Sequence, residues 1–277
     1  MARLTRSSPR AAIGLTRGAA ALAVGFALTG CPARAPRPPT TVAPVRITVA
    51  AASDLQEAWP AITARFLEVS KAELSPTFGA SGQLAEQIRQ GAPFDIFLSA
   101  DLGYVEKLAS TGDVLPESVA PYALGELALV VRSELAGRVR SLADLAGPDV
   151  KSVAMANPEF APYGRAARTV LDRAGLTDAL APKLVRAESV RMALAHVVMG
   201  DADAGLVGRA SIQGNPRLAV IPIDPALYDP IVQGLGITKR AAEPQAAETF
   251  RRFLLGEEGR AVLTEAGYRL PVPAGVR

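Results

Sequence analysis

The sequence predicts an α/β protein of two lobes joined by two hinge strands, with a ligand cleft between the lobes. Three observations predict it. Short β-rich runs alternate with helical periods in βαβα order, which implies parallel sheets covered by helices on both faces. Two apolar runs, 126–131 and 231–237, are long enough to serve as crossings between lobes. Behind an N-terminal leader and tether, about 230 residues remain, enough for one large or two modest cores.

The elements follow in order. A strand is expected over 46–50. Leu55, Ala58, Trp59, Ile62, Phe66 and Leu67 then recur on one helical face. Pro60 lies inside that helix and is expected to kink it near its first turn. A strand over 73–78 precedes a helix over 82–90 that Gly91 stops. A short buried strand, 95–99, leads to a helix over 104–110 that ends near Gly112. Strands over 126–131 and 152–156 precede a helix over 164–174 closed by Gly175. A strand over 183–185 feeds a helix over 190–199 closed by Gly200. Strands follow over 204–207, 218–223 and 231–237, then helices over 246–255 and 258–266. The chain is expected to cross between lobes near 123–131 and to return near 229–238. That divides it into lobe one, 45–124 and 230–277, and lobe two, 125–229. No internal repeat is visible.

The N-terminus reads as a targeting segment. Arg3, Arg6, Arg10 and Arg17 stand in a stretch free of acids, and the apolar run 19–28 is too short to span a bilayer. It ends Leu28-Thr29-Gly30-Cys31, which resembles a bacterial lipobox. Residues 1–30 would then be a lipoprotein signal peptide, with Cys31 lipidated after cleavage. The alternative is an ordinary signal peptide with an incidental cysteine. Cys31 is the single cysteine, so the chain forms no internal disulfide. The Pro-, Ala- and Arg-rich stretch 31–44 reads as a disordered tether.

Leader and tether hold six of the 30 basic residues and none of the 27 acids. The folded part therefore carries 24 bases against 27 acids, a net charge of −3. The basic pI gives no argument for nucleic-acid binding.

The informative pattern is a buried strand or loop that ends at a small polar group and turns straight into a helix. It occurs at Ser53-Asp54-Leu55, at Gly79-Ala80-Ser81-Gly82, at Pro162-Tyr163-Gly164 and at Glu188-Ser189-Val190. Helix starts offer unpaired N–H donors and a positive dipole end, so several aimed at one point would cage an oxyanion without lysine or arginine. Each residue also has a plain reading. Ser53 with Gln56 fits a capping box. Ser81 has the same ambiguity, although Gly79 and Gly82 suit a close backbone approach. Tyr163 fits a half-buried aromatic anchor, and Val190 fits ordinary core apart from its N–H.

Enzyme chemistry finds little support. The lone histidine, His196, lies mid-helix and reads as structural. No serine stands in a Gly-x-Ser-x-Gly elbow, and no phosphate loop or Cys/His cluster is present. Asp95, Asp101, Asp201 and Asp203 read as solvated turn carboxylates rather than acid–base or metal pairs.

Three segments together carry a resemblance. They are Val49-Ala50-Ala51-Ala52-Ser53, the run from Phe78-Gly79-Ala80-Ser81-Gly82-Gln83-Leu84 to Ile88, and Gly91-Ala92-Pro93-Phe94-Asp95-Ile96-Phe97 through Asp101. Asn157-Pro158-Glu159-Phe160-Ala161-Pro162-Tyr163-Gly164 and Glu188-Ser189-Val190 extend it. With these the chain resembles the periplasmic molybdate-binding proteins, solute receptors of bacterial molybdate import systems, over about 45–271. The resemblance implies a type II periplasmic binding-protein fold that closes on a tetrahedral dianion. It implies no enzyme activity and no cofactor. Carried over by position, Ser53 and Ser81 would donate hydroxyl and backbone hydrogen bonds, and Asp54 its N–H with the carboxylate turned away. Tyr163 and Val190 would add donors, mainly backbone, from lobe two. Some members place a tyrosine where this chain has Gly208, and Tyr163 is expected to compensate. Molybdenum would be held as the oxyanion and not as a bare cation.

The implied partners are molybdate or tungstate and an ABC permease, with membrane attachment by the lipid anchor alone and the protein a monomer. A donor-only cage matches a fully ionised oxyanion and disfavours protonated phosphate, which needs an acceptor. The competing readings are a same-fold receptor for sulfate, phosphate, ferric iron or an organic anion, and a hydrolase or transferase using Ser53 or Ser81. The second lacks a histidine with a route to either serine.

Overall fold

The computed structural model describes residues 44–212 and 214–271. The leader, Cys31 and the tether up to residue 43 lie outside the described residues. Strand β1 (Arg46–Ala52) is buried from Val49 to Ala52 and lies inside the sheet of the first lobe. Its Ile47, Val49 and Ala51 pack with Ile62 and Phe66 of α1 (Trp59–Val69) and with Phe250 and Leu254 of α7 (Pro244–Leu255). Ala50 faces the other way, toward Leu84 and Ile88 of α2 (Ser81–Arg89) and Val105 and Leu108 of α3 (Leu102–Ser110). This is the strand period of two with both faces covered.

The first sheet has the order β2-β1-β3-β10-β4, from β2 (Glu73–Gly79), β3 (Ile96–Ser99), β4 (Ala120–Gly125) and β10 (Ile231–Ile237). The second has the order β7-β6-β8-β5-β9, from β5 (Leu127–Arg132), β6 (Val153–Ala156), β7 (Leu184–Ala187), β8 (Ala204–Gly208) and β9 (Leu218–Pro222). Helices α4 (Pro162–Arg173) and α6 (Val190–Met199) contribute to the second core, and the short α5 (Thr177–Leu180) and α8 (Glu257–Glu265) complete the set.

The sheets are mixed, which corrects the expectation of parallel sheets. β1 pairs parallel with β2 and β3, and β6 pairs parallel with β7 and β8. β10 runs antiparallel to β3 and β4, and β5 runs antiparallel to β8 and β9. The reason is topological. β5 and β10 are the strands that arrive from the opposite sheet, so they enter against the local direction. The chain thus forms two sheets and crosses between them twice, from β4 to β5 and from β9 to β10, in keeping with the fold that the resemblance implies. The long strand expected over 126–131 begins one residue later, because Glu126 is the link between β4 and β5.

Two local expectations also change. Pro60 does not kink a helix; it occupies the first turn of α1, where its missing N–H costs no hydrogen bond. The residues before it form a separate 3-10 turn, Ser53–Gln56. Gly175 and Gly200 close their helices at φ 67° and 87°, as expected of helix-stop glycines.

Three of the four aspartates are structural anchors rather than solvated turns. Asp95 is buried, and its Oδ2 accepts from the N–H and hydroxyl of Thr48 at 2.7 and 2.6 Å. Its Oδ1 accepts from the N–H groups of Ala242 and Glu243 at 2.7 and 3.0 Å. Asp101 caps α3 by accepting from the Gly103 N–H at 2.8 Å. Asp203 accepts from the N–H groups of Lys151 and Ser152 and pairs with Arg132 at 2.9 Å. Sequence reasoning missed the roles of Asp95 and Asp203 because their partners lie 47 to 148 residues away. Asp201 alone stays exposed, 3.5 Å from His196 Nδ1.

Asp95→Ala removes a clamp between β1, β3 and the approach to α7 and takes the acceptor from three partly buried backbone donors. Urea unfolding is expected to show a loss of about 3 kcal/mol or more for this variant. Asp201→Ala is expected to change stability by less than about 0.5 kcal/mol.

Candidate functional site

Four chain segments end at the same point between the lobes. β1 gives way at Ala52 to the 3-10 turn that starts with Ser53. β2 ends at Gly79, Ala80 is extended, and α2 starts with Ser81. Ala161 is extended and α4 starts Pro162-Tyr163. β7 ends at Ala187, and α6 starts with Val190 behind the cap Ser189, which accepts from the Met192 N–H. Ser53, Asp54, Ser81, Tyr163 and Val190 line one small cavity with Ala52, Gly79, Ala80, Ala100, Ala161 and Pro162. None of the five is more than 6 % exposed.

The lining contains no lysine, arginine or histidine. Its polarity comes from helix starts, whose first N–H groups have no intrahelical acceptor. The small residues at the strand ends let the backbones approach the cavity closely. Ser81 Oγ accepts from the Ala100 N–H at 2.9 Å, so its own proton remains available for donation into the cavity. The cap position of the Ser53 turn is taken by Ala52, and Ser53 is the first residue of the turn. The capping box expected with Gln56 is therefore not formed.

Asp54 lines the cavity and is 1 % exposed, and its carboxylate makes buried bonds that the sequence does not announce. Oδ2 accepts from Gln233 Nε2 at 2.6 Å and from the hydroxyls of Tyr163 and Tyr268, each at 3.1 Å. Oδ1 is buried with no partner among the described residues. Burial raises the Asp54 pKa, against the opposing effect of the bonds from Gln233, Tyr163 and Tyr268. Burial, followed by the nearby Asp54 charge, also pushes the Tyr163, Tyr268 and Tyr122 hydroxyls well up. They remain protonated donors.

Tyr163 and Gly208 are coupled by shape. A Cβ at Gly208 would lie 3.1 Å from Tyr163 Cε1 and Cζ. The ring occupies the space a side chain at 208 would need. The hydroxyl that was expected to compensate for Gly208 is held by Asp54 and Gln233, with Gln233 Nε2 donating at 3.1 Å. Tyr163 therefore offers the cavity its backbone, at the second position of α4.

Sequence reasoning missed Gln233, Tyr268 and Tyr122. Gln233 is fully buried in β10 and accepts from the Tyr122 hydroxyl at 2.6 Å. A lone glutamine in the apolar run Ile231–Ile237 was a usable signal, since buried polar groups need partners. Tyr268 is set by the segment after α8, where Arg269 and Leu124 exchange backbone bonds at 2.7 and 3.0 Å. No local pattern announces it.

Contacts across the cleft hold the lobes together. The Gly82 N–H donates to the Phe160 carbonyl at 2.8 Å. Arg165 of α4 pairs with Asp101, donates to the Tyr104 hydroxyl at 2.9 Å and lies 5.2 Å from the Tyr104 ring centre. Arg191 of α6 pairs with Glu57 at 2.9 Å. His196 sits six residues beyond Val190, about 9 Å along α6. Its ring faces Asp201 rather than the serines.

The chain is 34 % identical over 222 residues to the molybdate-binding protein ModA of Rhodobacter capsulatus, covering 80 % of this chain and 87 % of that protein. It is 29 % identical over 226 residues to the putative ABC transporter substrate-binding lipoprotein YvgL of Bacillus subtilis, covering 81 % and 86 %. Its fold matches the solved Azotobacter vinelandii periplasmic molybdate-binding protein with a TM-score of 0.76 at 32 % identity, covering 82 % of this chain and 100 % of that one. The model of the bacterial extracellular solute-binding proteins matches residues 47–269. With a closed two-lobed fold around a cavity walled by helix starts, the chain belongs to the bacterial extracellular solute-binding protein family.

Proposed function

We propose that this protein captures molybdate or tungstate outside the cytoplasm and delivers it to an ABC permease. The single observation that carries the reading is the convergence of Ser53, Ser81, Tyr163 and Val190 on one buried cavity with no cationic side chain in its lining. A tetrahedral oxyanion is acceptor-only when fully ionised, and this wall supplies donors from two hydroxyls and three helix starts. The relatives named as molybdate-binding support the choice of ligand. Tungstate has the same charge and shape and belongs to the same reading.

Lobe one, 45–124 and 230–277, would hold Ser53, Asp54 and Ser81. Lobe two, 125–229, would bring Tyr163 and Val190. A ligand that bridges both favours the closed form by its differential affinity for it. Cys31 would carry the lipid that tethers the monomer to the membrane, a reading that the name of the Bacillus subtilis relative supports.

Thermal unfolding with molybdate, tungstate, sulfate and phosphate at equal concentration tests the ligand. At one hundred times Kd, a true ligand adds about 2.7 kcal/mol. For a domain of this size that raises Tm by roughly 5 to 10 °C. Molybdate and tungstate are expected to do so, and sulfate and phosphate far less. Equal shifts for all four, or none, would refute the assignment. In calorimetry, Ser81→Ala is expected to weaken molybdate by roughly tenfold or more, through loss of one hydrogen bond to a charged group. Ser53→Leu, which fills the cavity, is expected to abolish binding while thermal unfolding of the free protein stays cooperative. Cys31→Ala is expected to move the protein from the membrane fraction to the soluble extracytoplasmic fraction in cells, and retention on the membrane would contradict the anchor.

A further inference from the structure

Asp54 is the one acid on the cavity, and the two oxygens of its carboxyl differ. Oδ2 receives three donors, from Gln233 of β10, Tyr163 of α4 and Tyr268 after α8. Oδ1 receives none among the described residues and is buried. An ionised carboxylate in that state leaves negative charge buried without a partner in a residue that lines the cavity. Desolvation disfavours that state even before repulsion from the anion is counted.

Among the described residues no cationic side chain pairs with it. The titratable groups that face Asp54 are Tyr163, Tyr268 and, beyond Gln233, Tyr122 of β4, and all are neutral donors. The segment Arg209–Ser211 offers Ser211, whose hydroxyl donates at 3.4 Å to the Asp54 carbonyl and not to its carboxyl. From α6 the cavity receives Val190, while the neighbouring Arg191 guanidinium is turned to Glu57. From α2 it receives Ser81.

We propose that Asp54 binds the oxyanion as a neutral carboxylic acid, with its proton on Oδ1 donated to a ligand oxygen. The inference rests on the oxyanion reading of the cavity. Oδ2 is surrounded by donors and has no room for a proton, so Oδ1 carries it. When the carboxyl is ionised in the free protein, binding takes one proton from solvent onto Oδ1. Ligand and proton then enter together, and the affinity for a dianion depends on pH. Asp54 becomes a specificity residue: it converts the one acceptor in the wall into a further donor and so disfavours ligands that bring their own proton. The raised pKa of Asp54 is in keeping with this and has burial as its main cause.

The sign follows directly. A carboxyl whose folded pKa is raised favours the neutral form. Dianion affinity is therefore full below the pKa of Asp54 in the free protein and falls about tenfold per pH unit above it. Asp54→Asn replaces the titrating donor with a permanent one. Its carbonyl oxygen must face the three donors at the Oδ2 position, which directs its NH2 to the Oδ1 position.

The decisive measurement is infrared difference spectroscopy of wild type against D54N, both saturated with molybdate at about pH 8. Sulfate replaces molybdate if molybdate gives no thermal shift. A protonated-carboxyl C=O band in wild type that D54N lacks supports the proposal, and a carboxylate band alone overturns it. Should D54N fail to fold, wild type with carboxyl-labelled aspartate gives the same readout. Calorimetry over about pH 6 to 10 supplies the second arm. D54N is expected to bind with an affinity level within about threefold, and a tenfold fall per unit in D54N would also overturn the proposal. Anion binding with an ionised Asp54 sinks this inference alone. If no oxyanion binds at all, the reading of the cavity fails, and the inference with it.

Discussion

The carboxyl of Asp54 joins parts of the chain that share no local sequence. It gathers the end of β1, Gln233 of the returning strand β10, Tyr163 of α4 and Tyr268 of the C-terminal segment. Gln233 extends the junction to Tyr122 on β4. Both crossings of the fold lie beside these residues, because β4 leads through Glu126 into β5 and β10 is the strand that returns. A buried polar group tolerates few arrangements, since each unpaired donor or acceptor costs about 1 to 3 kcal/mol. The junction therefore constrains the two lobes to one relative placement in the closed form.

That constraint shapes the cavity beside it. Tyr163 is held by its hydroxyl at the junction, so the start of α4 lies against the ends of β1 and β2. Gly208 is needed there because the tyrosine ring lies over it. The remaining donors come from helix starts that would exist in any α/β fold. Here they converge because β1, β2 and β7 all terminate at the cleft. Oriented backbone dipoles can stabilise an anion without a lysine or arginine whose own desolvation would have to be met. The outer pairs, Arg165 with Asp101 and Arg191 with Glu57, are partly exposed. Exposed pairs of this kind are worth about 1 kcal/mol or less.

The aspartates show why local patterns mislead. Asp95 and Asp203 stand in stretches that read as turns, and turn carboxylates are usually solvated. Their partners come from distant segments, Thr48 and Ala242 for one and Lys151 and Arg132 for the other. The partners of the Asp54 carboxyl are likewise distant in sequence. A side chain beside a helix start has no sequence signal for the direction it takes. That direction depends on Gln233 and Tyr268, which lie 179 and 214 residues away.

The sequence by itself determined the βαβα order, the helix stops, the two crossings and the candidates Ser53, Ser81, Tyr163 and Val190. These rest on local physics: apolar period, glycine at positive φ, and small polar residues at strand-to-helix turns. Only the tertiary structure decided the antiparallel course of β5 and β10, the convergence of four helix starts on one cavity and the fate of each hydroxyl. Ser81 has its proton free for the cavity because Ala100 occupies its acceptor side, whereas Tyr163 donates its proton to Asp54 and accepts from Gln233. A hydrogen bond is set by position in space, and a chain reveals that position only after it has closed on itself.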